Sequence, residues 1–195
     1  MTKRLLSLCV LLVFPALASA QLVPHVALFG GYTYVRAKFN SSYTGPGPGP
    51  GFSLNGWNGS LEVKPLPLVG FVADVSRQYG SPLGIRENQV SFLFGPQISV
   101  PGFKNVIPYA HAMAGVVHGT NDIQISACIP EVTCPPNSIL TGNAFATAVG
   151  GGVDIKLKGP IWVRAIQIDW LHANLDPDHH TQLRLATGIV IRFGK

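Results

Sequence analysis

The sequence predicts an all-β fold, an eight-stranded antiparallel up-and-down barrel that spans a membrane. Three observations lead there. The 195-residue chain is apolar, with a mean hydropathy of +0.29 and only 12% charged residues, about half the share of a soluble domain. Past residue 20 no stretch stays apolar for 18 residues, so a spanning helix is unavailable. Short alternating runs of β-branched and aromatic residues recur instead, separated by connections that are long and short in strict turn. A chain too apolar for water and lacking a spanning helix has one other route through a bilayer. It closes a sheet on itself, because lipid offers no partner to an open strand edge.

The first residues read as a leader. Lys3 and Arg4 form a basic start, Leu5 to Phe14 an apolar core, and Ala18-Ser19-Ala20 a small-residue end, the pattern of a secretory signal peptide. Its core is about ten residues long, half of what a bilayer span requires. Cleavage after Ala20 leaves 21–195 as one barrel domain. Without Lys3 and Arg4 the balance falls to twelve basic against nine acidic residues, scattered without a run, which disfavours nucleic acid as a partner. Cys9 departs with the leader. Cys128 and Cys134 remain, and an even pair in an exported chain reads as a disulfide. The metal reading lacks ligands, since none of the six histidines lies in that segment. No cofactor is expected.

The eight runs lie near 26–39, 56–65, 68–77, 88–100, 106–118, 143–156, 161–172 and 182–193. Pro65-Leu66-Pro67, Pro101 to Asn105 and Lys158-Gly159-Pro160 make the three short connections. The long ones include the Gly-Pro repeat of 45–51 and the segment 119–141, which holds both cysteines. Outer-membrane barrels have this asymmetry, with short turns on the periplasmic side and long loops outside.

Within the runs the two parities differ. In the fourth, Val90, Phe92, Phe94, Pro96, Ile98 and Val100 oppose Gln89, Ser91, Leu93, Gly95, Gln97 and Ser99. In the last, Leu183, Leu185, Thr187, Ile189, Ile191 and Phe193 oppose Gln182, Arg184, Ala186, Gly188, Val190 and Arg192. A soluble lipocalin-type barrel alternates too, with its apolar face inside. Here the second parity is Gly, Ala and Ser with isolated charges of both signs, which suits the crowded inside of a narrow barrel better than a water-washed exterior. The expected inward polar network is Glu62, Lys64, Asp74, Asp154, Lys156, Gln167, Asp169, Arg184 and Arg192, four acids and four bases able to pair. Arg164 breaks the pattern, because its parity aims it outward unless a bulge re-aims it. Tyr32 and Tyr34 fit either face, and Trp57, Trp162 and Trp170 fall near run ends, where barrels carry aromatic girdles. Gly150-Gly151-Gly152 lies mid-strand and opens no helix, so it reads as room for a bulky neighbour rather than a phosphate loop.

The stretches Leu28-Phe29-Gly30-Gly31-Tyr32-Thr33-Tyr34-Val35-Arg36, Ile166-Gln167-Ile168-Asp169-Trp170-Leu171 and Leu185-Ala186-Thr187-Gly188-Ile189-Val190-Ile191-Arg192-Phe193 carry a family resemblance. Over 26–193 the chain resembles the outer-membrane-protein-A-like β-barrel family, the small eight-stranded barrels of Gram-negative bacteria. The resemblance implies residence in the cell outer membrane, lipid and lipopolysaccharide as neighbours, and insertion by the barrel-assembly machinery. The family's closing aromatic corresponds to Phe193, here followed by Gly194-Lys195. The resemblance specifies the fold far better than the function.

Three function classes follow. The first is a structural or surface-interaction protein without a catalytic site; the second is a narrow, porin-like passive pore for small solutes or ions. The third, a lipid hydrolase, needs a histidine and a serine together, oriented by an acid. His172-Ala173-Asn174 has no serine, His111 lies in Ala110-His111-Ala112, and His118 and His179-His180 stand at loop edges. Intact mass of the membrane-extracted protein, before and after alkylation without reductant, tests the leader and the disulfide together. The expected species begins at Gln21 and takes up no alkyl group; a retained leader or two free thiols would contradict the reading.

Overall fold

A computed structural model describes residues 25–38, 51–81, 86–100, 105–123, 138–175 and 178–194. The leader and both Cys128 and Cys134 lie outside these residues. Eight strands form a single closed barrel: β1 (His25–Lys38), β2 (Gly51–Lys64), β3 (Val69–Gly80), β4 (Arg86–Ser99), β5 (Val106–Ile123), β6 (Ser138–Lys158), β7 (Ile161–Leu175) and β8 (Asp178–Phe193). Each pairs antiparallel with the next in sequence, and β8 closes onto β1. All eight predicted runs correspond to strands. β5 and β6 run further than their hydrophobic patterns, to Ile123 and from Ser138, because pairing between them continues up to Ile123↔Ser138. Fourteen residues, the length of β1 and β2, cover roughly 35 Å along a barrel axis at about 3.3 Å each and a tilt of about 40°.

Local chemistry ends the strands. Pro65, which has no N–H to give a ladder, stops β2, and the turn closes with Leu66 N–H donating to the Val69 carbonyl at 3.4 Å. Between β6 and β7 the chain reverses through Gly159 at φ 56°, a left-handed conformation that a side chain would strain, followed by Pro160.

The faces sort by parity. β4 alternates without a break from Gln89 to Ser99, and its outward residues are Phe92, Phe94 and Ile98, with Phe94 70% exposed. Across the barrel, Phe71, Val149, Ile168 and Ile189 are likewise outward and exposed, while Val190 is fully buried. A lipocalin-type barrel would show the reverse. Tyr32 and Tyr34 both take the outward parity, and their hydroxyls bond across to Asn55 and Ser53 of β2. Trp57 and Trp170 are outward as well. Trp162 is not a girdle residue: it is buried in a small apolar cluster with Ala27, Phe29, Ala186 and Val190. The inner face is therefore mixed, and a second apolar cluster gathers Val72, Leu93, Met113, Val117 and Leu171.

One irregularity sets the interior. In β7 Ala165 and Ile166 are both exposed, and together they oppose Thr187 of β8. This β-bulge inserts one residue and switches parity, so Arg164 and Gln167 both point inward. Against β6 the same extra residue appears as a register shift between Val153 and Asp154. The Arg164 carbonyl, displaced at the bulge, accepts a hydrogen bond from the Thr187 hydroxyl at 2.9 Å. The mid-strand glycines make room opposite. A Cβ at Gly150 would strike the Asp169 carboxylate and the Ile168 backbone, and one at Gly152 would strike the Tyr109 ring and the Ile166 backbone.

Candidate functional site: the enclosed polar network

The inward parity brings charged groups from β2, β3, β6, β7 and β8 into one lumen. Arg184 of β8 is its centre. Its Nη1 donates to Asp74 of β3 at 2.8 Å and to the Ser76 hydroxyl at 3.1 Å, while Nε and Nη2 donate to Asp169 of β7 at 2.9 and 2.7 Å. Asp74 also accepts from the Asn58 amide of β2 at 2.8 Å. Asp169 accepts from the Gln167 amide at 2.7 Å and faces Nε2 of His111 on β5 at 2.8 Å. Each carboxylate is thus surrounded by donors, the condition under which a charge tolerates enclosure.

A second centre lies toward the short turns. Arg164 donates to both oxygens of Asp154, at 3.0 and 3.5 Å, and to the Gln167 amide oxygen at 2.7 Å. Its guanidinium is also sandwiched, with Cζ 4.2 Å from the Phe29 ring centre and 4.5 Å from that of Tyr109. Arg192 reaches the same Asp154 at 2.7 Å and lies over Trp162. Lys64 pairs with Glu62 at 3.2 Å, and the Ser99 hydroxyl donates to Glu62 at 3.3 Å. Gln167 joins the two centres, since its oxygen accepts from Arg164 and its amide donates to Asp169. Toward the long connections, Gln89 of β4 and Gln182 of β8 exchange amide hydrogen bonds at 3.2 and 3.1 Å, directly across the barrel.

Of the nine residues expected in this network, Glu62, Lys64, Asp74, Asp154, Gln167, Asp169 and Arg184 are buried within it, and Arg192 is half-buried at its edge. Lys156 is not part of it. That lysine is in register with Trp162 near the short-turn mouth, where its side chain is exposed and its Nζ lies 5.8 Å from the Trp162 ring centre. Arg164 takes its place, so the ion pairs of the lumen still join four acids and four bases: Glu62, Asp74, Asp154 and Asp169 with Lys64, Arg164, Arg184 and Arg192. Alternation left the side of Arg164 open, and the bulge at Ala165–Ile166 decides it. Sequence reasoning gave His111 no role in the network, although its parity with Tyr109 and Met113 placed it inside.

The network offers little to a nucleophile. His111 has Asp169 as its one hydrogen-bond partner among the described residues, and Nδ1 meets no acceptor or donor there. His118 bonds outward to Asn143 at 2.7 Å and His172 to Thr181 at 3.4 Å. Among the described residues no three His, Cys, Asp or Glu side chains gather as a metal site would require.

No family model and no curated protein matches the sequence. Solved structures do match. The attachment invasion locus protein Ail of Yersinia pestis superposes with a TM-score of 0.57 at 13% identity, over 86% of this chain and 99% of that one. Neisserial surface protein A gives 0.59 at 14% identity, over the same shares. The likeness is one of fold: a closed eight-stranded antiparallel barrel.

Replacing Arg184 by Met leaves Asp74 and Asp169 enclosed without their cation and should cost about 3–5 kcal/mol in reversible unfolding. Adding Asp74→Asn and Asp169→Asn to that variant should restore much of the loss. Equal stability of parent and Arg184→Met would mean that the pairing does not hold the lumen together.

Proposed function

We propose that this protein is an integral barrel of the cell outer membrane, exported through a cleaved leader, with a structural or surface-interaction role. The observation that carries this reading is the pairing of an apolar outer wall with a lumen bridged by side chains. The outward face presents Phe71, Phe92, Phe94, Val149 and Ile189 to the surroundings, which suits hydrocarbon and not water. Inside, Arg184 to Asp74 and Gln89 to Gln182 tie strands that stand across the lumen from each other. An eight-stranded barrel is barely wide enough for its own side chains, so such bridges obstruct the passage of solutes. The work then falls to the long connections between strands. The names of two similar structures, an attachment invasion locus protein and a surface protein, support the same reading. Outer-membrane lipid and lipopolysaccharide are its surroundings, and the barrel-assembly machinery its partner on insertion.

A narrow path for water or small ions is the second reading, and one observation favours it. Four enclosed acceptor oxygens, on Asn58, Glu62, Gln78 and Gln97, have no donor among the described residues, and water supplies donors readily. Planar-bilayer recordings separate the two. The structural reading expects no steady conductance steps from the purified protein at neutral pH, whereas reproducible steps that vanish in a denatured control would replace it with the pore.

A further inference from the structure

Among the described side chains, every carboxylate belongs to the inner face. Glu62, Asp74, Asp154 and Asp169 are buried in the lumen, and Glu87 shares the parity of buried Gln89. The outer wall toward the long connections carries Arg36, Arg77 and Arg86; Asp122 of β5 is in register with Arg86, and no described acid stands beside Arg77. This separation of sign is absent from the overall composition and emerges only when residues are sorted by face. Around Arg77, where the described outward side chains carry positive charge alone, the wall complements an anion lying alongside the barrel.

Arg77 turns that bias into a site. On β3 it is in register with Trp57 of β2 and Val90 of β4. The neighbouring outward row toward the short turns is Gly59, Val75 and Phe92; the one toward the long connections is Asn55, Tyr79 and Asn88. Arg77 therefore stands where the outer wall changes from apolar to polar. Its Nε donates to the Asn88 side-chain oxygen at 3.1 Å, and its guanidinium lies 5.1 Å from the Tyr79 ring centre. These two contacts hold the planar fork in place, while its terminal N–H groups have no acceptor among the described residues. Trp57, half exposed and in register with it, offers an apolar surface alongside. The outer wall of β5 to β8 differs at this level: His118 is bonded to Asn143, and no described Lys or Arg is present.

We propose that the outer wall around Arg77 binds the phosphorylated headgroup of an anionic membrane lipid. Arg77 supplies the fork that matches a phosphate, Tyr79 and Asn88 hold it, and Trp57 packs against the first part of the acyl chains. This rests on the membrane reading above, and the test keeps the two apart.

Two single-tryptophan proteins serve, one keeping Trp57 (Trp162→Phe with Trp170→Phe) and one keeping Trp170 (Trp57→Phe with Trp162→Phe). Each is refolded into phosphatidylcholine vesicles holding a minor fraction of acyl-brominated lipid, either phosphatidic acid or phosphatidylcholine. Quenching then reports which lipid lies next to each ring. Brominated phosphatidic acid should be enriched about five-fold over brominated phosphatidylcholine beside Trp57, on the order of what one basic residue at a membrane surface supplies. Trp170 should show no preference, Arg77→Gln should abolish the one at Trp57, and excess inorganic phosphate should leave it intact. Equal quenching of Trp57 by both lipids, or a preference that survives Arg77→Gln, overturns the site. Loss of the preference to inorganic phosphate overturns the lipid as its source. If brominated lipid quenches neither ring, the protein has not entered the bilayer and the membrane reading itself fails.

Discussion

Arg184 sits fully enclosed between two carboxylates from strands on different sides of the barrel, and the rest of the structure must accommodate it. Enclosing an unpaired ion costs several kcal/mol, so a charge inside the wall fixes the places of its partners. Asp74 and Asp169 reach Arg184 only if β3, β7 and β8 keep their registers. A slip of one residue in any of them would turn the partner outward. Neutrality of the lumen thus acts as a lock on strand register, in addition to the backbone ladder that closes β8 onto β1.

Space is the second constraint. Guanidinium groups and aromatic rings crowd a lumen that eight strands keep narrow. The chain meets this with small residues on the facing wall. Gly150 leaves room for the Asp169 carboxylate and Gly152 for the Tyr109 ring. The bulge at Ala165–Ile166 does the complementary work: it turns Arg164 inward, where Phe29 and Tyr109 enclose it and Asp154 neutralises it. Without that extra residue Asp154 would keep only Arg192 as its cation.

Alternation made most of this legible from the sequence. It separated Ile189 from Val190 and Phe92 from Ser91, and it placed Asp74, Asp169 and Arg184 on one face before any pairing was known. It failed where the ladder is irregular or ends. Arg164 lies before a bulge, so parity counted along the chain aims it outward; Lys156 keeps the parity of Asp154 and the register of buried Trp162, but it stands at the strand end, where its side chain is exposed. Trp162 was misread for a related reason. A position near a run end suits a girdle residue, but only the folded barrel shows that Arg192 and Val190 claim its ring. The cross-lumen bridges had no sequence signal at all, because Gln89 and Gln182 are 93 positions apart.

A wall that is apolar outside and charged within has a functional consequence that loops alone would not give. On the proposed reading it confines chemistry to the rims and the connections, with the barrel as a mount held by its own ion pairs. That conclusion depends on which face meets hydrocarbon. The direct measurement is reversible unfolding of Ile189→Arg in lipid vesicles, read against the parent. Ile189 is 55% exposed on the outer wall, with Val190 beside it at 0%. An arginine on a lipid face near mid-depth costs about 2–4 kcal/mol, and a loss of that size is the expected result. Unchanged stability of Ile189→Arg would mean that this wall meets water, and the barrel would then be a soluble one.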